Sequence, residues 1–450
     1  MRVLFALLHI GYYRHFEATI KALRDAGAEV HLVASRSHHS ITADDYDDVE
    51  FSIRPLKYRD ERAAILRRRV ERDLLFYAGG DFENAGFLRD RFVRKHRTIV
   101  PQKDLDSELA RLAAMSPARR KLSEFRHSLV ERRTEPHPGA MKTIRSTRPD
   151  VVVVSPVLHF LTPELEYIKA ARSLGIPSLF PVASWDNTTC KGRLKAMPDK
   201  IAAWNAAMAE ELVRLHGVPR RRIVITGAPA LDWWLHASPQ MSRSEFLQSV
   251  GLSDRPERKI VAYLCSTNSI GGGNKRVVVE DWLAALRRHG DETLRDAHVV
   301  IRPHPVSATD WSGLDHPGAA IHPARGVKYP TTAEQQKTYL ETLHHADAVV
   351  GLNTSAMIES AIAGKPVLTY RGHASDLNQA SNLHFRHLAE SGYVKVLPNL
   401  PDHLDELAVA LRTAFDRRPA ERFLREFIRP SGTDLAPSVI LANHILGMAR

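Results

Sequence analysis

Five segments of this sequence carry residues whose types and spacing could handle a phosphate or a proton. Arg302-Pro303-His304-Pro305 presents two nitrogen-bearing side chains on a backbone stiffened by two prolines. A guanidinium there offers a bidentate clamp for phosphate, and an imidazole can donate to a phosphate or a leaving oxygen. Gly351-Leu352-Asn353-Thr354-Ser355-Ala356-Met357-Ile358-Glu359 reads as the end of a strand followed by a hydroxyl-rich helix start. Asn353, Thr354 and Ser355 would add side-chain donors to the free N–H groups of that helix, and Glu359 could accept from ribose hydroxyls. The same residues would also serve an ordinary N-cap followed by an acid. Ser184-Trp185-Asp186-Asn187-Thr188-Thr189-Cys190-Lys191-Gly192 gathers polar groups after an apolar run. Asp186 there could take a proton from an acceptor hydroxyl, or form an Asx turn or cap. Asn187, Thr188 and Lys191 could bind hydroxyls or phosphate. His9-Ile10-Gly11-Tyr12-Tyr13-Arg14-His15 offers His9 or His15 as a base or anion ligand, or as surface histidines beside a turn glycine. Ser266 and Thr267 open a Gly-rich loop reaching Arg276 that suits phosphate contact and matches neither a P-loop nor a dinucleotide fingerprint.

Each of these segments follows an apolar run of strand length. Arg2–Leu8, a helical spacing at Phe16, Ile20 and Leu23, a stop at Gly27 and the run Glu29–Ala34 form a βαβ opening, hence a parallel sheet. The alternation resumes at Asp150–Ser155, Pro177–Pro181, Lys200–Trp204 and Ile223–Thr226. A second series runs through Lys259–Leu264, His298–Arg302, Ala346–Gly351 and Pro366–Tyr370. The expected architecture is α/β, with two Rossmann-like domains facing across a cleft. Residues 1–235 are expected to form the first domain, 236–430 the second, and 431–450 a helix packing back on the first. In open parallel sheets ligands sit beyond the carboxyl ends of strands, where all five segments fall.

The chain has 450 residues, which suits two domains, and 44% hydrophobic residues, too many for a disordered chain. Two cysteines, Cys190 and Cys265, supply neither a disulfide framework nor a metal-ligand set, so a reducing cytoplasm is the expected compartment. No run approaches a membrane span. The net charge of +11 is concentrated between Arg54 and Arg148, where 24 basic residues face 13 acidic ones. This helical insertion, about 55–148, includes Arg67-Arg68-Arg69 and Arg119-Arg120-Lys121. It reads as solvated helix faces, or as a surface for an anionic or lipid-linked acceptor with peripheral contact at the inner membrane face. No nucleic-acid motif accompanies it. Asp44-Asp45-Tyr46-Asp47-Asp48 reads as a solvated turn.

At Ile223–Asp232 (IVITGAPALD), Arg302–Pro305 and Gly351–Tyr370 (GLNTSAMIESAIAGKPVLTY) the sequence resembles glycosyltransferases of the two-domain GT-B class. Within that class it resembles bacterial surface-polymer enzymes, the CDP-glycerol glycerophosphotransferase-like group among them. That group often carries an Asp-Tyr-Ser-Ser type sequence where this chain has Asn353-Thr354-Ser355. The resemblance implies a metal-independent transferase with no cofactor beyond a nucleotide-activated donor of UDP, CDP or CMP type. It implies His304, Thr354 and Ser355 on the donor phosphates; with the readings above, Arg302 joins them, Glu359 holds the ribose, Asp186 or His15 is the base, and 236–430 is the donor-nucleotide domain and 1–235 the acceptor domain. A CDP-glycerol-type glycerophosphotransferase, a nucleotide-sugar 2-epimerase and a non-catalytic nucleotide-sugar or polyanion binder are the alternatives.

Overall fold

Runs of β-branched and other apolar residues form strands buried on both faces, as parallel strands covered by helices must be. Val151 to Val154, for example, are wholly buried. The computed structural model describes residues 1–37, 50–57, 63–78, 82, 86–97, 102–253, 255–266, 275–305, 309–323, 333–371 and 382–449. Thr267 and the acidic run 44–48 lie outside the described residues.

The chain divides into two compact units, Met1–Asp232 with Arg425–Arg450, and Trp233–Leu424. The sequence reading set these boundaries at 235/236 and 430/431. In the first unit the strands are β1 (Arg2–Leu7), β2 (Glu29–Ala34), β3 (Phe51–Ile53), β4 (Val151–Ser155), β5 (Ser178–Pro181), β6 (Lys200–Ala203) and β7 (Ile223–Ile225). They pair in the order β3-β2-β1-β4-β5-β6-β7, all parallel. In the second unit they are β8 (Ile260–Leu264), β9 (His298–Arg302), β10 (Ala319–Ile321), β11 (Ala348–Gly351), β12 (Val367–Tyr370) and β13 (Val394–Leu397), in the parallel order β10-β9-β8-β11-β12-β13. Both sheets run outward in one direction, return to the first strand and continue on its other side. Strand order therefore reverses beside β1 and β4 in one unit and beside β8 and β11 in the other. Such switch points open a crevice at the carboxyl ends, where ligands bind.

The last segment completes the first unit. Helix Pro437–Leu446 packs on helix Glu17–Asp25. Ala228 N donates to Ile428 O at 2.9 Å, Asn205 Nδ2 to Phe427 O at 2.9 Å, and Ser438 N to the Asp232 carboxylate at 2.8 Å. Gly227 makes this closure possible. Its φ is +79°, and a Cβ there would lie 2.7 Å from Ile428 O and 2.8 Å from Pro437 Cγ. Gly227→Ala is therefore expected to cost at least about 1–3 kcal/mol from strain alone, read as a lower urea midpoint.

The basic insertion is the crossover between β3 and β4, and much of its charge is not solvated. Arg69, 1% exposed, donates to Glu131 through Nε at 3.0 Å and Nη2 at 2.7 Å, and also to Glu166. Lys169 Nζ donates to the same Glu131 at 2.9 Å. Arg72 Nη2 and Arg193 Nε both reach Glu124 Oε1, at 2.8 and 3.2 Å. Lys195 Nζ meets Asp73 at 2.6 Å. Buried cations survive only with such partners. Glu166 and Lys169 belong to the helix after β4, so these pairs fasten the insertion to the sheet it interrupts. The expectation of plain solvated faces is thus corrected for Arg69 and Arg72, while Arg119, Lys121, Arg126, Arg132 and Arg133 are exposed.

Candidate functional site

In the second unit the ends of β8, β9 and β11 are level. Leu264 is in register with Arg302 on one side and with Gly351 on the other. With strands about 4.8 Å apart, Arg302 and Gly351 lie about 10 Å from each other on one edge. His304 follows the first by two residues; Asn353, Thr354 and Ser355 follow the second. All stand at the switch point.

Arg302 is held in place rather than waving in solvent. Its guanidinium carbon sits 4.2 Å from the centre of the Tyr339 ring, a cation–π arrangement. The Tyr339 hydroxyl donates to Glu359 Oε2, so Arg302, at the end of β9, and Glu359, in helix Ala356–Ile362 after β11, are linked by a tyrosine from helix Ala333–His345. Burial brings the Arg302 pKa down to about 10, against the favourable field of Tyr339 and Glu359. Its Nη1 is buried without a hydrogen-bond partner among the described residues, and so are both amide atoms of Asn353, which is 2% exposed. Donors desolvated and left unsatisfied at a strand edge point to a ligand that completes them. Thr354 Oγ1 accepts from Ala356 N at 3.4 Å, and Ser355, exposed, makes no side-chain cap bond. Lys275 opens the helix after the Ser266 loop and donates Nζ to Ser266 O; burial lowers its pKa to about 8.

In the first unit His15, in the segment after β1, lies in the field of Asp186, in the segment after β5. His15 is pushed well below its ordinary pKa by burial, then by Arg14 and His9, with Asp186 opposing. Arg14 Nε donates to His15 Nε2 at 3.4 Å. That bond occupies the lone pair a base needs, so the pairing favours Asp186 over His15 as proton acceptor. Asp186 precedes a one-turn helix, Asn187–Cys190, and does not cap it. Instead its carboxylate takes Lys191 Nζ at 3.0 Å, Asn187 Nδ2 at 3.0 Å and the Cys190 thiol at 3.2 Å. Thr188 is corrected: it is wholly buried and donates to Glu211, so it is not a ligand group. His159, after β4, is driven down to about 3 by burial and by Lys191, Arg91 and Arg36. Arg91, from the insertion helix Gly86–His96, lies 3.9 Å from Cys190 Sγ. The Asp186 carboxylate thus stands between the cations Lys191 and Arg91.

No protein-family model and no curated protein matches the chain. Solved structures do, over their whole length. A UDP-GlcNAc 2-epimerase of Methanocaldococcus jannaschii in complex with UDP-GlcNAc and UDP has 13% identity and a TM-score of 0.54, covering 99% of each chain. The MnaA protein of S. aureus, in a co-structure with UDP, has 14% identity and a TM-score of 0.52, covering 100% of this chain and 98% of that one. The glycotransferase of kitacinnamycin has 14% identity and a TM-score of 0.52, covering 100% of this chain and 99% of that one. The fold is GT-B. At such identities the likeness speaks for the GT-B architecture and not for chemistry.

Sequence reasoning did not single out Tyr339, Lys275, Arg91 or His159 as site residues. Tyr339 sits inside a helical stretch with nothing local to mark it, and Arg91 reads as one more charge in a basic run. Among the described residues no three His, Cys, Asp or Glu side chains gather as a metal site. A cavity of about 300 Å³ in the second unit, lined by Trp234, His344, Gly364, Lys365 and Arg417 among others, lies beside residues that precede β11 and β12, away from the carboxyl edge.

Proposed function

We propose that this GT-B chain is a nucleotide-sugar-dependent transferase. The second unit would hold the donor diphosphate, and the first would bind the acceptor and remove its proton. The observation that carries the reading is the pair of desolvated, unsatisfied donors at the second switch point, Arg302 Nη1 and the Asn353 amide. A diphosphate, rich in acceptor oxygens, would complete Arg302 Nη1 and Asn353 Nδ2. Arg302, His304, Thr354, Ser355 and the Ser266 loop would stabilise charge growing on the leaving phosphate as the bond from sugar carbon to phosphate oxygen breaks. Glu359, oriented by the Tyr339 hydroxyl, is assigned to the ribose. Asp186 would take the hydroxyl proton as the acceptor oxygen bonds to the sugar carbon. The cations around Asp186 suit an acceptor that is itself anionic, which fits a bacterial glycan or surface-polymer precursor. If the donor is CDP-glycerol, the same groups would serve glycerophosphate transfer.

A second reading is a nucleotide-sugar 2-epimerase, favoured by the whole-length likeness to the M. jannaschii enzyme. It needs no acceptor, and leaves the cations around Asp186 without a use. Incubation with nucleotide-sugars alone separates the two: epimerised sugar overturns the transferase reading.

The direct test of donor binding is thermal unfolding with UDP, CDP, CMP, GDP and dTDP. A nucleotide at about 100 times its Kd adds about 2.7 kcal/mol, a rise of about 5–10 °C for a unit of this size. Arg302→Met is expected to remove most of that rise. If no nucleotide raises the transition, or the variant responds as the wild type does, the assignment falls.

A further inference from the structure

Helix Pro117–Arg133 in the insertion displays Leu122, Phe125, Leu129 and Val130 to solvent, at 51, 65, 37 and 40% exposure. At 3.6 residues per turn Leu122, Phe125 and Leu129 form one stripe. Lys121 and Arg132 flank it on one side; Arg119, Arg126 and Arg133 flank it on the other, beside Val130. All five cations are exposed. The helix's two carboxylates point the opposite way. Glu124 is held by Arg72 and Arg193, and Glu131 by Arg69 and Lys169. Acids therefore anchor the helix to the unit, while the outward face is apolar at its centre and positive at both margins.

We propose that this helix docks the chain on an anionic lipid surface. An apolar stripe between rows of arginine and lysine matches a bilayer interface: the aliphatic and aromatic groups enter the acyl boundary, and the cations meet the headgroup phosphates. A second copy of the same face would set five cations against five, which disfavours self-pairing. A soluble polyanion would use the cations and leave the stripe in water. Among the described residues no helix is long and apolar enough to cross a membrane, so attachment through this face is to the surface. The inference does not depend on the transferase reading.

The test is co-sedimentation of the full chain with vesicles. The wild type is expected to pellet with equal parts phosphatidylglycerol and phosphatidylcholine and to stay in solution with phosphatidylcholine alone. The triple variant Leu122→Gln, Phe125→Gln, Leu129→Gln should lose about tenfold or more in partitioning. Arg119→Gln, Arg126→Gln and Arg133→Gln together should lose a comparable factor. Both sets lie on the exposed face, so unchanged thermal unfolding confirms that the variants are folded. The proposal is overturned if the triple apolar variant still pellets like the wild type, since the attraction is then charge alone. It is overturned equally if the wild type ignores anionic vesicles and sediments as a dimer that the apolar variant dissolves.

Discussion

Asp186→Asn is expected to cut transfer about 10²–10⁴-fold while donor-induced thermal stabilisation persists. The substitution keeps the shape of the side chain, and removes both the ability to take a proton and the charge that pairs with Lys191. The His15 ring is the weaker candidate, because Arg14 donates to its Nε2 at 3.4 Å. His15→Gln should therefore cost far less than Asp186→Asn. Single-turnover assays with the responding donor and a panel of anionic acceptors would measure both. Equal losses at the two positions would move the base to His15, and an active Asp186→Asn would remove it from the chemistry altogether.

Arg69→Met is expected to destabilise the first unit by about 3–5 kcal/mol, among the largest effects available to one substitution. It leaves Glu131 and Glu166 buried with their main cation gone. The pH dependence follows from the same group. Burial by itself would raise the Glu131 pKa, but Arg69 and Lys169 outweigh it and bring it down to about 2. A carboxylate depressed by folding contributes stability that is fully present above its unfolded value near 4.5 and is lost as pH falls toward about 2. Urea midpoints between those limits should thus fall less steeply in Glu131→Gln than in the wild type. Parallel slopes would show that another carboxylate dominates acid unfolding.

The two Rossmann-like domains are legible because strands buried on both faces are continuous apolar runs, each ending at a Gly, Pro or hydroxyl-rich loop; the GT-B class came from the resemblance at Ile223–Asp232, Arg302–Pro305 and Gly351–Tyr370. The sequence reading missed β10 and β13. Both are edge strands, and Ala319–Ile321 and Val394–Leu397 are only partly buried, so no strong apolar run marks them. Loops after strands were readable as places for chemistry, which is how Asp186, Arg302 and Asn353 were found. The long-range pairs that hold the insertion were not readable. Arg69 meets Glu131 across 62 residues and Glu166 across 97, and Lys195 meets Asp73 across 122. No periodicity connects such positions; only the crossover between β3 and β4 does. For the same reason Arg119-Arg120-Lys121 reads as an ordinary charged face until the inward turn of Glu124 and Glu131 is known.

The return of Arg425–Arg450 to the first unit has a consequence for biosynthesis. Trp233–Leu424 is one uninterrupted stretch and can complete its sheet while still tethered to the ribosome. The first unit has all seven strands translated earlier, yet Ile428 and Ser438, which close over Gly227 and Asp232, are made only after the whole of Trp233–Leu424. The first unit is thus closed only after the second has been made, and its unsealed apolar surface is what a chaperone would meet in the interval.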